Sequence, residues 1–239
     1  MSLDEWKPGG AGCAKALCEE CEVRGLSVCG ALRSTELPAL AAIASGRRLE
    51  PGQTLFHEGD PAEDVFTVTG GALKLFKLMS DGRRQITGYL LPGDFLGLAY
   101  GSTYVFGAEA ISGTTLCRFP RRQFLRLLDE FPALEHELLG RASSELAAAQ
   151  EQMLLLGRKT ARERVASFVL QLAGRVGSEH DASLALPLNR TDIADYLGLT
   201  IETVSRTFTL LRKEGLIGLP DKQQVRLLAR EALQEAAGI

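Results

Sequence analysis

The stretch Thr191-Asp192-Ile193-Ala194-Asp195-Tyr196-Leu197-Gly198-Leu199-Thr200-Ile201-Glu202-Thr203-Val204-Ser205-Arg206 reads as helix, turn, helix. Ile193, Ala194 and Leu197 share one face of a first helix over Thr191–Leu197. Gly198 supplies the backbone freedom that a sharp turn needs. Thr200 is a good N-cap for a second helix, Thr200–Lys213, because its hydroxyl accepts an orphan N–H of the first turn. On that helix Ile201, Val204, Phe208 and Leu211 make an apolar stripe. Glu202, Ser205, Arg206 and Thr209 make the opposite stripe, at i, i+3, i+4 and i+7 near the helix N-terminus.

A major-groove reading helix needs this arrangement, because its first two turns meet the base edges. Arg206 is suited to donate two bonds to guanine, Glu202 to accept from cytosine N4, and Ser205 to meet either a base or a methyl. Thr203 and Thr209 lie among these DNA-facing residues, and Thr191 and Lys213 are placed as phosphate contacts. The competing reading is an ordinary solvated helix. An acid in a DNA groove is costly unless it reads a base, so Glu202 argues for the groove. Around this core, Arg162–Leu172 reads as an amphipathic helix and Leu184–Leu188 as a short strand. Leu216–Leu228, with Pro220-Asp221 inside it, reads as a hairpin wing.

Moving toward the N-terminus, Arg121 to Gly157 is helical in pattern, with a break expected near Pro132. Within it Leu139, Ala142, Leu146, Ala149, Met153 and Leu156 are spaced 3-4-3-4-3. Such a seam fits either a helix packed on its own barrel or a helix paired with a second copy. Two small alanines on a narrow stripe favour the paired helix, hence a homodimer. Before this segment, Leu49 to Phe119 alternates short apolar runs (Val65–Val68, Leu73–Leu78, Ile86–Leu91, Thr115–Phe119) with Gly-centred turns. That rhythm predicts a small antiparallel β-roll, preceded by a short helix over Ser34–Ile43. The fold class is therefore α+β. The expected pieces are a Cys-rich arm (1–30), a β-roll sensor (31–130), a dimerisation helix (131–157) and a winged-helix DNA-binding domain (158–239).

Five cysteines are the unusual inventory: Cys13, Cys18, Cys21 and Cys29 crowd the start, and Cys117 lies far along the chain. The sequence shows no secretory pattern at Met1–Gly10 and no apolar run near the roughly 20 residues of a membrane helix. A cytoplasmic location without a membrane partner is the expectation, and there cysteine clusters point to metal or redox chemistry rather than to disulfides. The spacing Cys18-x2-Cys21-x7-Cys29 lets one loop supply three corners of a metal centre, with Cys117 as the fourth. Four thiolates suit tetrahedral zinc or an iron–sulfur cluster, and spacing alone does not separate them. Net charge is −3, but from Arg158 onward 12 Lys+Arg face 10 Asp+Glu, so that third is +2 and the remainder −5. A weakly positive third still places several cations at phosphates. No phosphate-binding Gly loop, nucleophile elbow or His-rich triad is present, so no enzyme is expected.

The quoted stretch closely resembles the winged-helix signature of the CRP–FNR regulator family, and the resemblance extends over nearly the whole chain. The Glu-x-x-Ser-Arg pattern of Glu202, Ser205 and Arg206 is similar to that of the FNR branch. By resemblance these residues would read a palindrome of TTGAT-like half-sites in double-stranded DNA, as a dimer that activates or blocks RNA polymerase. The loop Asp81–Arg84 with Gln85-Ile86-Thr87-Gly88 resembles a polymerase-contacting surface of FNR relatives. The family's cyclic-nucleotide pocket needs an Arg for the phosphate, yet no Arg occurs between Arg84 and Arg118, so no cyclic nucleotide is expected. Haem is not expected either, since His57, His136 and His180 sit in no ligand motif.

FNR-type oxygen sensors carry an N-terminal Cys cluster and one more Cys on the barrel, before a Pro-containing turn. Cys117-Arg118-Phe119-Pro120 matches that position. The resemblance thus implies a [4Fe–4S] cluster on Cys18, Cys21, Cys29 and Cys117, with Cys13 spare or exchanging with Cys18. The interval before Cys29 is longer than in the enteric pattern. Where relatives often place an acid on the seam, this chain has Ala149, which implies an apo form that dimerises more readily. Two alternatives remain beside this reading: a regulator switched by thiol redox or zinc, and a metal-stabilised interaction module without gene control.

Overall fold

The computed structural model describes residues 18, 20–98, 101–176, 183–221 and 223–239. Cys13 and His180 lie outside the described residues. The chain forms two compact units, one running to Lys77 and resuming over Thr87–Glu145, the other made of Leu78–Ile86 and Leu146–Ile239. The grouping of Leu78–Ile86 with the C-terminal unit departs from the four sequential pieces expected.

The first unit opens with two 3-10 turns, Arg24–Leu26 and Val28–Ala31, and helix α1, Leu37–Ile43. Eight strands follow: β1 (Ser45–Leu49), β2 (Thr54–Phe56), β3 (Asp64–Gly70), β4 (Leu73–Leu78), β5 (Arg84–Leu90), β6 (Phe95–Leu96), β7 (Gly107–Ala110) and β8 (Thr114–Pro120). They make two four-stranded sheets, β1-β8-β3-β6 and β2-β7-β4-β5. Helices α2 (Arg121–Glu130) and α3 (Pro132–Arg158) come next. The break falls at Phe131 as expected, because Pro132 is tolerated only in a first turn.

Side chains on a strand alternate between faces, so β3 and β8 serve two cores at once. Phe66, Val68 and Leu116 point inward, with Leu73 and Ala108, into the core of the roll. Val65 and Phe119 point outward into a second core with Val28, Leu32, Leu40, Phe124, Leu134 and Leu138. The second core therefore draws on the N-terminal turns, α1, α2, the start of α3 and the outer face of the β1-β8-β3-β6 sheet. Full burial of each large apolar side chain such as Phe119 or Phe124 contributes about 1.5–3 kcal/mol. This outer core fixes the arm that carries the cysteines against the strand that carries Cys117.

The second unit contains α4 (Ala161–Val176), β9 (Ser183–Ala185), α5 (Arg190–Leu197), α6 (Ile201–Lys213), β10 (Ile217–Gly218), β11 (Gln224–Leu227) and α7 (Arg230–Ala237). A three-stranded sheet, β10-β11-β9, forms the wing. Helix α5 starts one residue earlier than the expected Thr191, since Asn189 caps it by accepting the Asp192 N–H at 2.9 Å. Strand β9 stops at Ala185, short of the expected Leu188, because Pro187 lacks the N–H a ladder needs. Helix α7 is an element the sequence reading passed over. Leu233, Ala236 and Ala237 bury its inner face, and Gly238 ends it in the left-handed conformation.

Candidate DNA-reading helix and cysteine pocket

Helix α6 is built from its cap outward. The Thr200 side chain accepts the Thr203 N–H at 3.2 Å, and the two hydroxyls lie 3.0 Å apart. Before it, Gly198 turns the chain at φ 61°, a left-handed value that favours glycine. Val204, Thr207, Phe208 and Leu211 face the interior. Ile201 does not: it is exposed, and the buried stripe takes Thr207 instead, whose hydroxyl donates to the Thr203 carbonyl at 2.8 Å. At the first helical position a side chain overhangs the edge of the packed face, and a threonine that bonds its own helix is tolerated inside.

The opposite face presents Glu202, Ser205 and Arg206 as exposed side chains, with Thr209 half-buried beside them and Lys213 exposed at the far end. Thr209 donates back to the Ser205 carbonyl at 2.9 Å. A shallow groove of about 410 Å³ is lined by Ser205, Arg206, Thr209, Leu210 and Lys213. The Glu202 carboxyl is held below the ordinary range, first by its own backbone N–H, then by the Thr200 hydroxyl, and also by the charge of Arg206. It is therefore an ionised acceptor, as a partner for cytosine N4 must be. Thr191 is exposed in the first turn of α5.

Arg190 and Arg164, two cations behind this face, escaped the sequence reading, and Arg84, read there as part of a polymerase-contacting loop, lies against α5. Arg190 lies over the Phe208 ring, its guanidinium carbon 3.5 Å from the ring centroid, and burial lowers its pKa. Arg164 donates to the carbonyls of Lys159, Leu197, Gly198 and Leu156, tying the turn to the helices around it. Arg84 reaches Asp192 at 3.0 Å and Asp195 at 3.3 Å, while Gln85 donates to the Asp195 carbonyl at 2.7 Å. Arg84 is thus turned onto α5, whereas Asp81 and Arg83 pair with each other at 2.7 Å in the solvent.

On α3, Leu139, Leu146 and Met153 are 64%, 60% and 65% exposed, and Ala142 and Ala149 lie in the same open stripe. Leu156 is half-buried, its side chain against Gly198. The opposite face is packed through Leu134, Leu138 and Leu155. The seam is therefore an apolar stripe that the single chain leaves uncovered along most of its length.

The second site lies on the outer core. Cys117 is in β8, directly across from Gly46 of β1 and Thr67 of β3. Cys29 packs into the same core as Cys117. Cys18, Cys21, Cys29 and Cys117 are all half-buried, and none is in a disulfide. Burial first, and then the charges of Cys29, Cys18 and Cys21, push the Cys117 thiol up to about 12. The three arm cysteines thus lie within electrostatic reach of Cys117. Burial raises Cys29 as well, against an opposing hydrogen bond from Ser27.

Arg141 of α3 braces this arm. It donates to the Leu26 carbonyl at 2.8 Å and to the Gly93 carbonyl at 3.3 Å, and pairs with Glu137 at 2.9 Å. Gly93 has φ 99°, and a Cβ there would stand 2.7 Å from the Leu26 Cβ. Only glycine lets the arm lie this close to the turn. Among the described residues, no three His, Cys, Asp or Glu side chains gather tightly enough to hold a single metal ion. His57 and His136 are exposed.

Comparison with known proteins agrees with this architecture. A cyclic nucleotide-binding domain model matches residues 46–131, and a Crp-like helix-turn-helix domain model matches 163–236. The chain is 45% identical over 217 residues to the transcriptional activatory protein AadR of Rhodopseudomonas palustris, covering 89% of this chain and 91% of that protein. It is 39% identical over 227 residues to the transcriptional activator protein FnrL of Cereibacter sphaeroides, covering 92% of each. The structure of FixK2 from Bradyrhizobium japonicum superposes with a TM-score of 0.77 at 39% identity, covering 81% of this chain and 97% of that one. These matches are transcription regulators rather than enzymes, and no helix among the described residues is long and apolar enough to cross a membrane. The chain belongs to the CRP–FNR family of transcription regulators, in its FNR-type branch.

Proposed function

We propose that this regulator senses oxygen through a [4Fe–4S] cluster held by Cys18, Cys21, Cys29 and Cys117, and that its cluster-bound homodimer reads a palindrome of TTGAT-like half-sites. The observation that carries the reading is the packing of Cys29 with Cys117 in the outer core, with Cys18 and Cys21 within electrostatic reach of the same thiol. The donor set fits such a group in two respects. It is all sulfur, which suits iron–sulfur chemistry. Burial also disfavours the Cys29 and Cys117 thiolates until a cationic centre compensates them, which is the usual reversal at metal-bound thiols. When bound, the cluster supplies an oxygen-labile crosslink between arm and barrel.

The remaining steps belong to the chain itself. Cys18, Cys21 and Cys29 hold the arm to β8, and Arg141 passes the arm's position to α3 through the Leu26 carbonyl. Helix α3 then presents Leu139, Ala142, Leu146, Ala149 and Met153 to a second copy. In the dimer Arg206, Glu202 and Ser205 read bases, and Thr191 and Lys213 hold phosphates. The regulator acts in the cytoplasm on RNA polymerase, with the exposed Asp81–Arg83 tip as a contact surface. It uses neither cyclic nucleotide nor haem.

The test is the visible spectrum and iron–sulfide content of protein purified without oxygen, for the wild type and for Cys117→Ala. About four irons and four sulfides per wild-type chain, with a broad absorbance that fades in air, are expected. Cys117→Ala should lose both that absorbance and oxygen-dependent DNA binding. A colourless wild type, or a Cys117→Ala protein that keeps both properties, overturns the reading.

A further inference from the structure

Thr67 and Cys117 stand opposite each other on β3 and β8. Their neighbours fix the face of the sheet that both side chains occupy. Two residues one way, Val65 and Phe119 are paired, and both lie in the outer core. Two residues the other way, the hydroxyls of Thr69 and Thr115 are 2.9 Å apart. With period two along each strand, Thr67 and Cys117 share the outward face of the Val65–Phe119 pair, and past a bulge between Val68 and Gly70 the Thr69 and Thr115 hydroxyls meet. Directly opposed residues of an antiparallel pair have Cβ atoms about 4.5–5.5 Å apart. On its other flank Cys117 meets Gly46, which adds no side chain. Thr67 is therefore the polar side chain set against Cys117 across the strands.

Thr67 is only 2% exposed, and its hydroxyl has no hydrogen-bond partner among the described residues. A buried hydroxyl without a partner is destabilising, and a valine of nearly the same shape would avoid the cost. The contrast with Thr69 is instructive, since that hydroxyl lies on the same face and is satisfied. The orphan donor sits where a strong acceptor arrives only once Cys117 binds metal. Groups that hydrogen-bond a ligand sulfur tune a metal centre's potential and its resistance to attack.

We infer that the Thr67 hydroxyl is a hydrogen-bond donor to metal-bound sulfur at Cys117, a positioning residue that slows loss of the centre in air. The inference rests on the cluster reading above and deepens it. In the chain without metal the hydroxyl has no partner to give up. In the loaded chain its loss exposes the Cys117 ligand to oxidation.

The experiment compares wild type, Thr67→Val and Thr67→Ser as full-length proteins prepared without oxygen. Thr67→Val should load iron and sulfide as the wild type does, yet bleach in air on the order of tenfold faster. Its iron–cysteine stretching bands in resonance Raman should shift and lose their sensitivity to D2O. Thr67→Ser should restore both properties. The metal-free Thr67→Val protein should unfold at the same denaturant concentration as the metal-free wild type, or a higher one. A loaded Thr67→Val protein with wild-type lifetime and Raman bands overturns the inference and leaves the cluster reading standing. Equal destabilisation of the metal-free and loaded variants also overturns it, because the role would then be structural. A wild type that takes up no iron removes the cluster reading and this inference together.

Discussion

The reading helix and the cysteine pocket answer the same question, what this chain recognises, in opposite ways. On α6 the base-reading groups come from one helix, with Glu202, Ser205 and Arg206 exposed, and local bonds are already made: Thr200 caps, Thr209 bonds back, and Glu202 is ionised beside Arg206. The pocket draws on an arm, two strands and, through Arg141, on α3. Its Cys29 and Cys117 thiols are penalised by burial, and the Thr67 hydroxyl is orphaned among the described residues. A surface complete in itself waits for a partner that supplies complementary bonds. A pocket with unmet needs waits for a group that satisfies them from within. The first geometry suits reading a duplex, and the second suits holding a prosthetic centre.

The largest expected effect separates the two regions through the helix they share. Leu146→Asp places a charge in the centre of the exposed stripe on α3, where a second copy would bury it unpaired. Sedimentation should show a monomer at micromolar concentration, and affinity for a palindromic duplex should fall by about 100-fold or more, as the second half-site is no longer linked to the first. Iron content should not change, because Leu146 lies away from the cysteines in the sequence and on the uncovered face. Loss of iron in this variant would mean that the pocket is not complete within one chain. The same sedimentation run on metal-free wild type tests whether Ala149, lacking the charge repulsion of an acid, leaves it dimeric.

A smaller effect tests the claim that the reading face acts alone. Arg206→Ala removes a bidentate base contact and should cost about 1–3 kcal/mol of discrimination at one base pair. Competition with duplexes altered base by base should show specificity relaxed at that position and little changed elsewhere. The cluster spectrum should match wild type. Uniform weakening across all sequences would reassign Arg206 to the phosphate backbone.

How much of this was visible in the sequence follows the same division. The reading helix was legible because its logic is local: a cap, a turn glycine and residues at i, i+3, i+4 and i+7. Its one error, Ile201 for Thr207, came from treating the first helical position as if it were interior. The roll was legible from alternation and turn glycines, and the break at Pro132 from proline chemistry. Helix α7 was missed because eight residues with three small or apolar contacts carry little periodic signal. The metal-ligand set came from family resemblance rather than from spacing, which left zinc open. Thr67 and Arg141 were invisible. The first matters only through the register of β3 on β8, and register is set by tertiary pairing rather than by either strand alone. The second matters through bonds to the carbonyls of Leu26 and Gly93, which no side-chain pattern announces.

The smallest effect returns to the N-cap of α6. Thr200→Ala leaves the Thr203 N–H without its side-chain acceptor and should lower stability by about 1 kcal/mol. It also removes the Thr200 hydroxyl that helps hold Glu202 as an anion, so the Glu202 pKa should move up toward its ordinary value. A carboxylate with a raised pKa is still ionised at neutral pH, so DNA binding there should change by no more than the fraying of the first turn allows. Urea titration should show the loss in stability, while binding at neutral pH stays within a fewfold of wild type. A large loss of base discrimination from Thr200→Ala would break the comparison. It would mean that the reading face depends on one local bond for its geometry, and is then no more self-sufficient than the pocket.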